Sequence, residues 1–193
     1  MPLSDVAALF GVTGALPDDP GPRSDAAPGE MVHAVAVIEG VRQLLPMRWG
    51  MIPVGRRNAR GRPVMDTIVN VRSEGLFAKS AFAGVGRAIL PVNGWYEWTG
   101  ENRRKTRWRI EAPSRPMLAF AAVHDLWAGP GGVSLRQLAT VTCAPNADVA
   151  PYHHRMPAIL DPSRIAGWLE GDGYSGAGSL GPAEAGLLTV ASA

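Results

Sequence analysis

The chain has a single cysteine, Cys143, in 193 residues and only four histidines. No intrachain disulfide can form, and His33, His124, His153 and His154 with that one thiol show no structural-zinc spacing. No apolar run approaches the roughly 20 residues that a membrane-spanning helix requires, and the N-terminus lacks the basic-then-apolar pattern of a secretory signal. Phosphate-cradling glycine loops, zinc-protease helices and nucleophile elbows are all missing. These gaps exclude a disulfide scaffold, a zinc module and a helical membrane protein. The expectation is a cytoplasmic protein with no membrane association, no cofactor and no metal. With 46% hydrophobic residues, a chain of this length can bury a core as one domain over residues 1–193.

Lysine is also scarce: Lys79 and Lys105 are the only two among nineteen basic residues. Residues 1–47 carry two Arg against six acids, residues 48–115 carry fourteen basic residues against five acids, and residues 116–193 carry three against six. A basic, arginine-dominated middle between acidic ends suits a polyanion, because guanidinium groups make planar, bidentate phosphate contacts. Arginine in place of lysine also follows from a GC-rich genome, so charge alone leaves nucleic-acid binding open.

The pattern along the chain alternates short β signals with a few helical ones. Ser4 to Phe10, stopped by Gly11, reads as a short helix capped by Ser4, followed by a Pro/Gly-rich loop over residues 13–30. Met31–Ile38 and Val41–Leu45 read as a hairpin turning at Glu39-Gly40. Arg56–Arg62 reads as a basic loop and Glu74–Phe82 as a helix. Arg87–Val92, Trp95–Trp98, Arg107–Glu111, Met117–Leu126 and Leu135–Thr142 read as strands, and Pro162–Glu170 as a helix begun by proline and ended by Gly171. A Gly/Ser-rich loop spans residues 171–182. This order predicts an α+β fold: a mostly antiparallel, barrel-like sheet with a few peripheral helices.

Four stretches could carry chemistry. Asn70-Val71-Arg72-Ser73-Glu74 sets an amide, a guanidinium and a carboxylate at alternate positions, which share a side if the segment is extended; a helix cap by Ser73 or Glu74 is the competing reading. In Pro91–Trp98, Glu97 lies among Trp95, Tyr96 and Trp98. Alternation puts Glu97 with Trp95 and Tyr96 with Trp98, and the carboxylate is either desolvated and raised in pKa or simply turned to water. The loop from Ala144 to Pro157 brings His153, His154 and Arg155 between prolines, either as a proton donor beside an anion site or as ordinary surface. Met47–Pro53 pairs Arg48 with Trp49, which suits a single strand or a core tryptophan beside a solvent arginine.

Taken in order, Arg48-Trp49-Gly50-x-Ile52-Pro53, Asn70-x-Arg72-x-Glu74, Gly94-Trp95-Tyr96-Glu97-Trp98 and His153-x-Arg155-Met156-Pro157 resemble the SOS response-associated peptidase (SRAP) family. The resemblance covers residues 1–170 and leaves 171–193 as a divergent tail. It implies a protein, expected to be a monomer, whose partner is single-stranded DNA containing abasic sites and which sits on the nucleoid when bound. It shields those sites by covalent cross-linking, a peptidase- and lyase-like activity with self-processing of the N-terminus. By that resemblance Asn70, Glu97 and His153 are the catalytic residues: Asn70 holds amine and sugar, Glu97 is the acid/base carboxylate, and His153 moves a proton at the ring-opening sugar. Arg72, Arg48, Trp49 and Arg155 are the implied DNA-binding residues.

The family's expected start, Met-Cys-Gly-Arg, supplies the nucleophile, whereas this sequence reads Met1-Pro2-Leu3-Ser4. Two readings follow: a start assigned too far downstream, or a member without cross-linking chemistry that binds single-stranded or junction DNA. Cys143, internal and without a free α-amine beside it, reads as a buried strand thiol. Asp25 stands where the family usually has asparagine.

Overall fold

The computed structural model describes residues 1–21, 23, 25–52, 60, 67–76, 82, 84–101, 104–171 and 180–193. Helix α1 (Leu3–Leu9) precedes strands β1 (Met31–Ile38), β2 (Val41–Trp49) and β3 (Asn70–Arg72). Strands β4 (Gly86–Val92), β5 (Trp95–Thr99), β6 (Thr106–Glu111), β7 (Leu118–Ala128) and β8 (Ser134–Cys143) follow. Two short strands, β9 (Met156–Pro157) and β10 (Ile159–Leu160), then helix α2 (Ile165–Glu170) and strand β11 (Thr189–Ser192) complete the chain.

Strands β7, β4, β1, β2 and β8 pair in that order, and β8 pairs back to β7, which closes a five-stranded barrel. The fold is therefore α+β and barrel-like. The β1–β2 hairpin closes at Glu39-Gly40, where φ is 52° and 78°; two consecutive left-handed residues match the twist of flanking strands. Not every pairing is antiparallel: β8 runs parallel to both β2 and β3.

Pairing registers sort the barrel residues into two faces. Val35, Leu44, Ile89, Ala121 and Val141 fall on one, all fully buried. Ala36, Ala88, Ala122 and Thr140 fall on the other, and Thr140 pairs with Asn70 of β3. Small side chains there let α2 approach closely enough for the Trp168 indole N–H to donate to the Ala88 carbonyl at 2.8 Å. On α1, Pro2 precedes the first turn without a side-chain cap, and Ser4 does not cap the helix.

A second sheet, β11-β6-β5, stacks beside the barrel, docked by an edge-to-face contact of 5.4 Å between Trp95 and Phe120. Its outer strand β11 lies in the tail that the sequence reading set apart. Asp148 holds that tail by accepting from the Gly186 and Leu188 amides at 2.9 and 3.1 Å, and Asn146 donates to the Glu184 carbonyl at 3.2 Å. The expected helix over Glu74–Phe82 begins as one 3₁₀ turn, Ser73–Gly75; residues 77–81 lie outside the described residues, as do most of Arg56–Arg62 and residues 172–179. The expected helix at Pro162 opens as a 3₁₀ turn, Pro162–Arg164, whose Ser163 amide donates to Asp161, and continues as α2.

His124 on β7 is buried, with both ring nitrogens unpartnered. Its ring lies over Gly86, where any Cβ would come within 2.3 Å of Nε2. Burial pushes its pKa down to about 4 from the usual 6.5. The unfolded chain then binds a proton that the folded chain refuses, so stability falls as pH drops from about 6.5 to about 4, by up to roughly 3 kcal/mol, and no further below. In urea denaturation at pH 7 and at pH 4.5, the His124→Leu variant should lose correspondingly less stability between the two than the parent. Equal losses would contradict this assignment.

Candidate functional site

Strand β5 alternates as its sequence suggests. Trp95 and Glu97 share one face, and the Trp95 indole N–H donates to Glu97 Oε1 at 3.2 Å. The Glu97 side chain is 18% exposed, so it does not simply face water. Burial raises its carboxyl above the usual carboxylate range, against the opposing pull of His153 and of the Trp95 hydrogen bond. On the opposite face the Arg107 guanidinium lies 3.6 Å from the Tyr96 ring centre and pairs with Asp25 at 2.8 Å, while Trp98 is exposed.

His153 comes from a different part of the chain. The segment from Asn146 to His153 is a tight turn. The Asn146 side chain accepts from the Val149 amide at 3.1 Å, and the Val149 carbonyl accepts from the Tyr152 and His153 amides at 2.9 and 3.0 Å. The turn delivers His153 Nδ1 to 3.7 Å from Glu97 Oε1. The same nitrogen is 2.7 Å from the Arg155 carbonyl and 3.3 Å from the Arg155 amide, so the Arg155 backbone holds the ring by its Nδ1 side, and Nε2 is the ring nitrogen that this contact does not engage. The His154 ring stands 4.5 Å from that of His153.

Arg155 fixes this loop. Its guanidinium forks onto Glu74 at 2.6 and 2.9 Å and donates to the Thr142 carbonyl at 2.5 Å. The Arg155 hydrogen bond holds the Glu74 carboxyl down at about 2, so the pair stays charged across any physiological pH. With both terminal nitrogens committed and its side chain only 15% exposed, Arg155 acts here as a brace between the segment after β3, β8 and the histidine turn. Glu74 is therefore a structural partner of the site, and the Asn70–Glu74 pattern already contained it.

On β3, Asn70 and Arg72 are exposed and Val71 is buried, so the amide and the guanidinium share a side as expected. Ser73 and Glu74 form no side-chain cap. Neither Asn70 nor Arg72 has a hydrogen-bonding or ion-pair partner among the described residues. Asn70 pairs with Thr140 and Thr140 with Ala122, two residues from Phe120, the ring that meets Trp95. Asn70 thus lies on the barrel face that receives the second sheet, without touching Glu97 or His153. Trp49 pairs with Leu138 on this same face and is half-buried, its indole nitrogen shielded and unpartnered. Arg48 falls on the opposite face and donates to the Gly50 carbonyl at 2.7 Å.

The structure thus joins Glu97 to His153 directly and ties His153 to β3 through Arg155 and Glu74. The side chains of Asn70 and Arg72, on the strand so tied, have no hydrogen-bond or ion-pair partner among the described residues. Sequence reasoning did not single out Trp108 or Tyr152, whose rings meet at 4.8 Å beside Glu97; an Arg-Trp-Arg alternation on β6 was the one available hint. Among the described residues no cluster of His, Cys, Asp and Glu could hold a metal ion, and no helix is long and apolar enough to cross a membrane. Cys143 is buried, and burial pushes its thiol up to about 11. The folded protein should therefore resist alkylation by iodoacetamide at pH 8 and react fully once denatured; rapid labelling of the native protein would contradict that environment.

A protein-family model described as SOS response associated peptidase (SRAP) matches residues 2–186. The abasic site processing protein YoqW of Bacillus subtilis (strain 168) is 28% identical over 170 residues, 86% of this chain and 75% of that protein. The abasic site processing protein HMCES of Gallus gallus is 29% identical over 153 residues, 67% of this chain and 46% of its own. A crystal structure of a protein from Bordetella bronchiseptica superposes with a TM-score of 0.77 at 22% identity, over 98% of this chain and 94% of that one. This last likeness concerns the fold alone.

Proposed function

Since the chain belongs to the SOS response-associated peptidase (SRAP) family, we propose that it binds single-stranded DNA and shields abasic sites by a covalent protein–DNA link, using the self-processed N-terminus that the family pattern implies. The observation that carries this reading is the contact between a half-buried, pKa-raised carboxyl and an imidazole, Glu97 and His153, 3.7 Å apart. A proton acceptor and a proton donor side by side are what an abasic sugar needs to open to its aldehyde and condense with an amine.

In this reading His153 takes the C1′ hydroxyl proton as the C1′–O4′ bond breaks and passes it to the ring oxygen that leaves as the C4′ hydroxyl. The amine adds to the aldehyde, and Glu97, whose hold on its proton burial strengthens, gives that proton to the departing hydroxyl as water leaves and takes one back from the nitrogen as the imine forms. A thiol next to that amine closes the ring. Asn70 orients the sugar and Arg72 takes the neighbouring phosphate, both side chains being without a partner among the described residues. Arg155 contributes by holding His153 rather than by meeting DNA. Trp49, on the same barrel face as Asn70, is proposed at the outer contact with the strand, and Arg48, on the opposite face of β2, at a separate phosphate contact.

A form of the protein carrying the family's Met-Cys-Gly-Arg start ahead of this sequence should form a denaturation-resistant conjugate with abasic single-stranded DNA. Salt-sensitive DNA binding without any conjugate would instead favour a non-catalytic single-stranded or junction DNA binder. Glu97→Gln should slow conjugation by tenfold or more while leaving affinity within about twofold. Arg72→Ala should weaken binding by about fivefold and lower the salt slope by about one. Equal effects of both substitutions on binding would overturn the division of roles.

A further inference from the structure

Trp108 lies directly across the β5–β6 pair from Glu97, and its ring plane is fixed by the indole N–H donating to Thr99 Oγ1 at 2.7 Å. The ring that meets it, 4.8 Å away and tilted by 58°, belongs to Tyr152, the residue immediately before His153. The turn leaves little slack between the two, because the Tyr152 and His153 amides share one acceptor, the Val149 carbonyl. From the other side His153 is held by Arg155, through the Nδ1 contact to its carbonyl and the Glu74 fork. Arg155 ties the histidine to β3 and β8, which belong to the barrel. Nothing in that brace reaches β5. Among the described residues, Asp148 and Asn146 tie the start of the turn to the segment leading into β11, and the Tyr152–Trp108 contact ties its other end, next to His153, to β6 opposite Glu97.

We propose that Tyr152 is a positioning residue, whose stack on Trp108 sets the separation between His153 and Glu97. The proposal rests on the reading of that pair as the reactive centre, but its geometry can be measured without any reaction. Aromatic contact needs the ring and not the hydroxyl, and Tyr152 has no hydrogen bond through its hydroxyl to any described residue. Phenylalanine should therefore replace it, and leucine, similar in hydrophobicity but without a ring face, should not. Proximity catalysis is steep in distance, so a turn released from β6 should cost on the order of tenfold or more in conjugation rate.

The test follows the Glu97 carboxyl carbon by NMR as pH is varied, in the full chain. Removing His153 as His153→Gln should raise the Glu97 midpoint, since the imidazole now pulls it down. In a Tyr152→Leu background that rise should shrink to less than half, and in Tyr152→Phe it should persist. Thr99→Val, which frees the Trp108 indole and leaves Tyr152 in place, should give an intermediate rise and serves as the decisive variant if Tyr152→Leu does not fold. An undiminished rise with Tyr152→Leu, or with Thr99→Val in its place, would overturn the proposal. So would a Tyr152→Phe that behaves like leucine. If the titrations behave as expected but no variant, nor the parent carrying the family's Met-Cys-Gly-Arg start, conjugates to abasic DNA, the positioning role stands and the proposed chemistry falls.

Discussion

One guanidinium organises the candidate site. Arg155 forks onto Glu74 and bonds the Thr142 carbonyl, and these three residues come from the histidine turn, the segment after β3, and β8. A bidentate arginine–carboxylate pair is directional as well as strong. Here it fixes the end of a turn whose other residues have no strand to join. Without it, His153 would be attached to the barrel only through the short strand β9. The fork therefore does for the loop what pairing does for strands.

The two halves of the proposed reactive pair, Glu97 and His153, differ in how they are supported. Glu97 sits on a regular strand, half-buried against Trp95, and its position is set by hairpin pairing with β6. His153 sits on a turn and depends on side-chain contacts at both ends, Tyr152 before it and Arg155 after it. A carboxyl fixed by strand pairing opposite an imidazole fixed by side-chain contacts suits a proton shuttle, where one partner must keep its unusual pKa and the other must exchange protons with its surroundings. The C-terminal strand adds to this support: β11 pairs with β6, and Asp148 and Asn146, at the start of the histidine turn, hold the segment leading into it.

Much of this was legible in the sequence because it depends on neighbours. Alternation in Trp95–Trp98 assigned Glu97 to the Trp95 face, and Glu39-Gly40 marked the hairpin, since both follow from backbone geometry over a few residues. The barrel-like α+β class came from many short β signals. The contacts that assemble the site are of another kind. Glu74 and Arg155 are 81 positions apart, and a solvated ion pair and a braced one look identical as letters. The parallel pairing of β3 with β8 leaves no local mark. Strand β11, Thr189–Ser192, is too short and too polar to be told from a loop until its partner β6 is known. The sequence left Arg48 and Trp49 open between a surface for a single strand and a core tryptophan beside a solvent arginine, and as adjacent strand residues they point to opposite faces.

The central claim is that an abasic lesion is received at Glu97 and His153. It is tested most directly by titrating single-stranded DNA bearing a tetrahydrofuran abasic analogue, which cannot react, into protein labelled at histidine and tryptophan nitrogens. The account predicts that the His153 ring and the Trp95 indole shift together and more than the buried His124 and Trp168, and that an intact strand of the same sequence moves them less. Largest shifts at His33 or Trp168, with His153 and Trp95 unmoved, would contradict it.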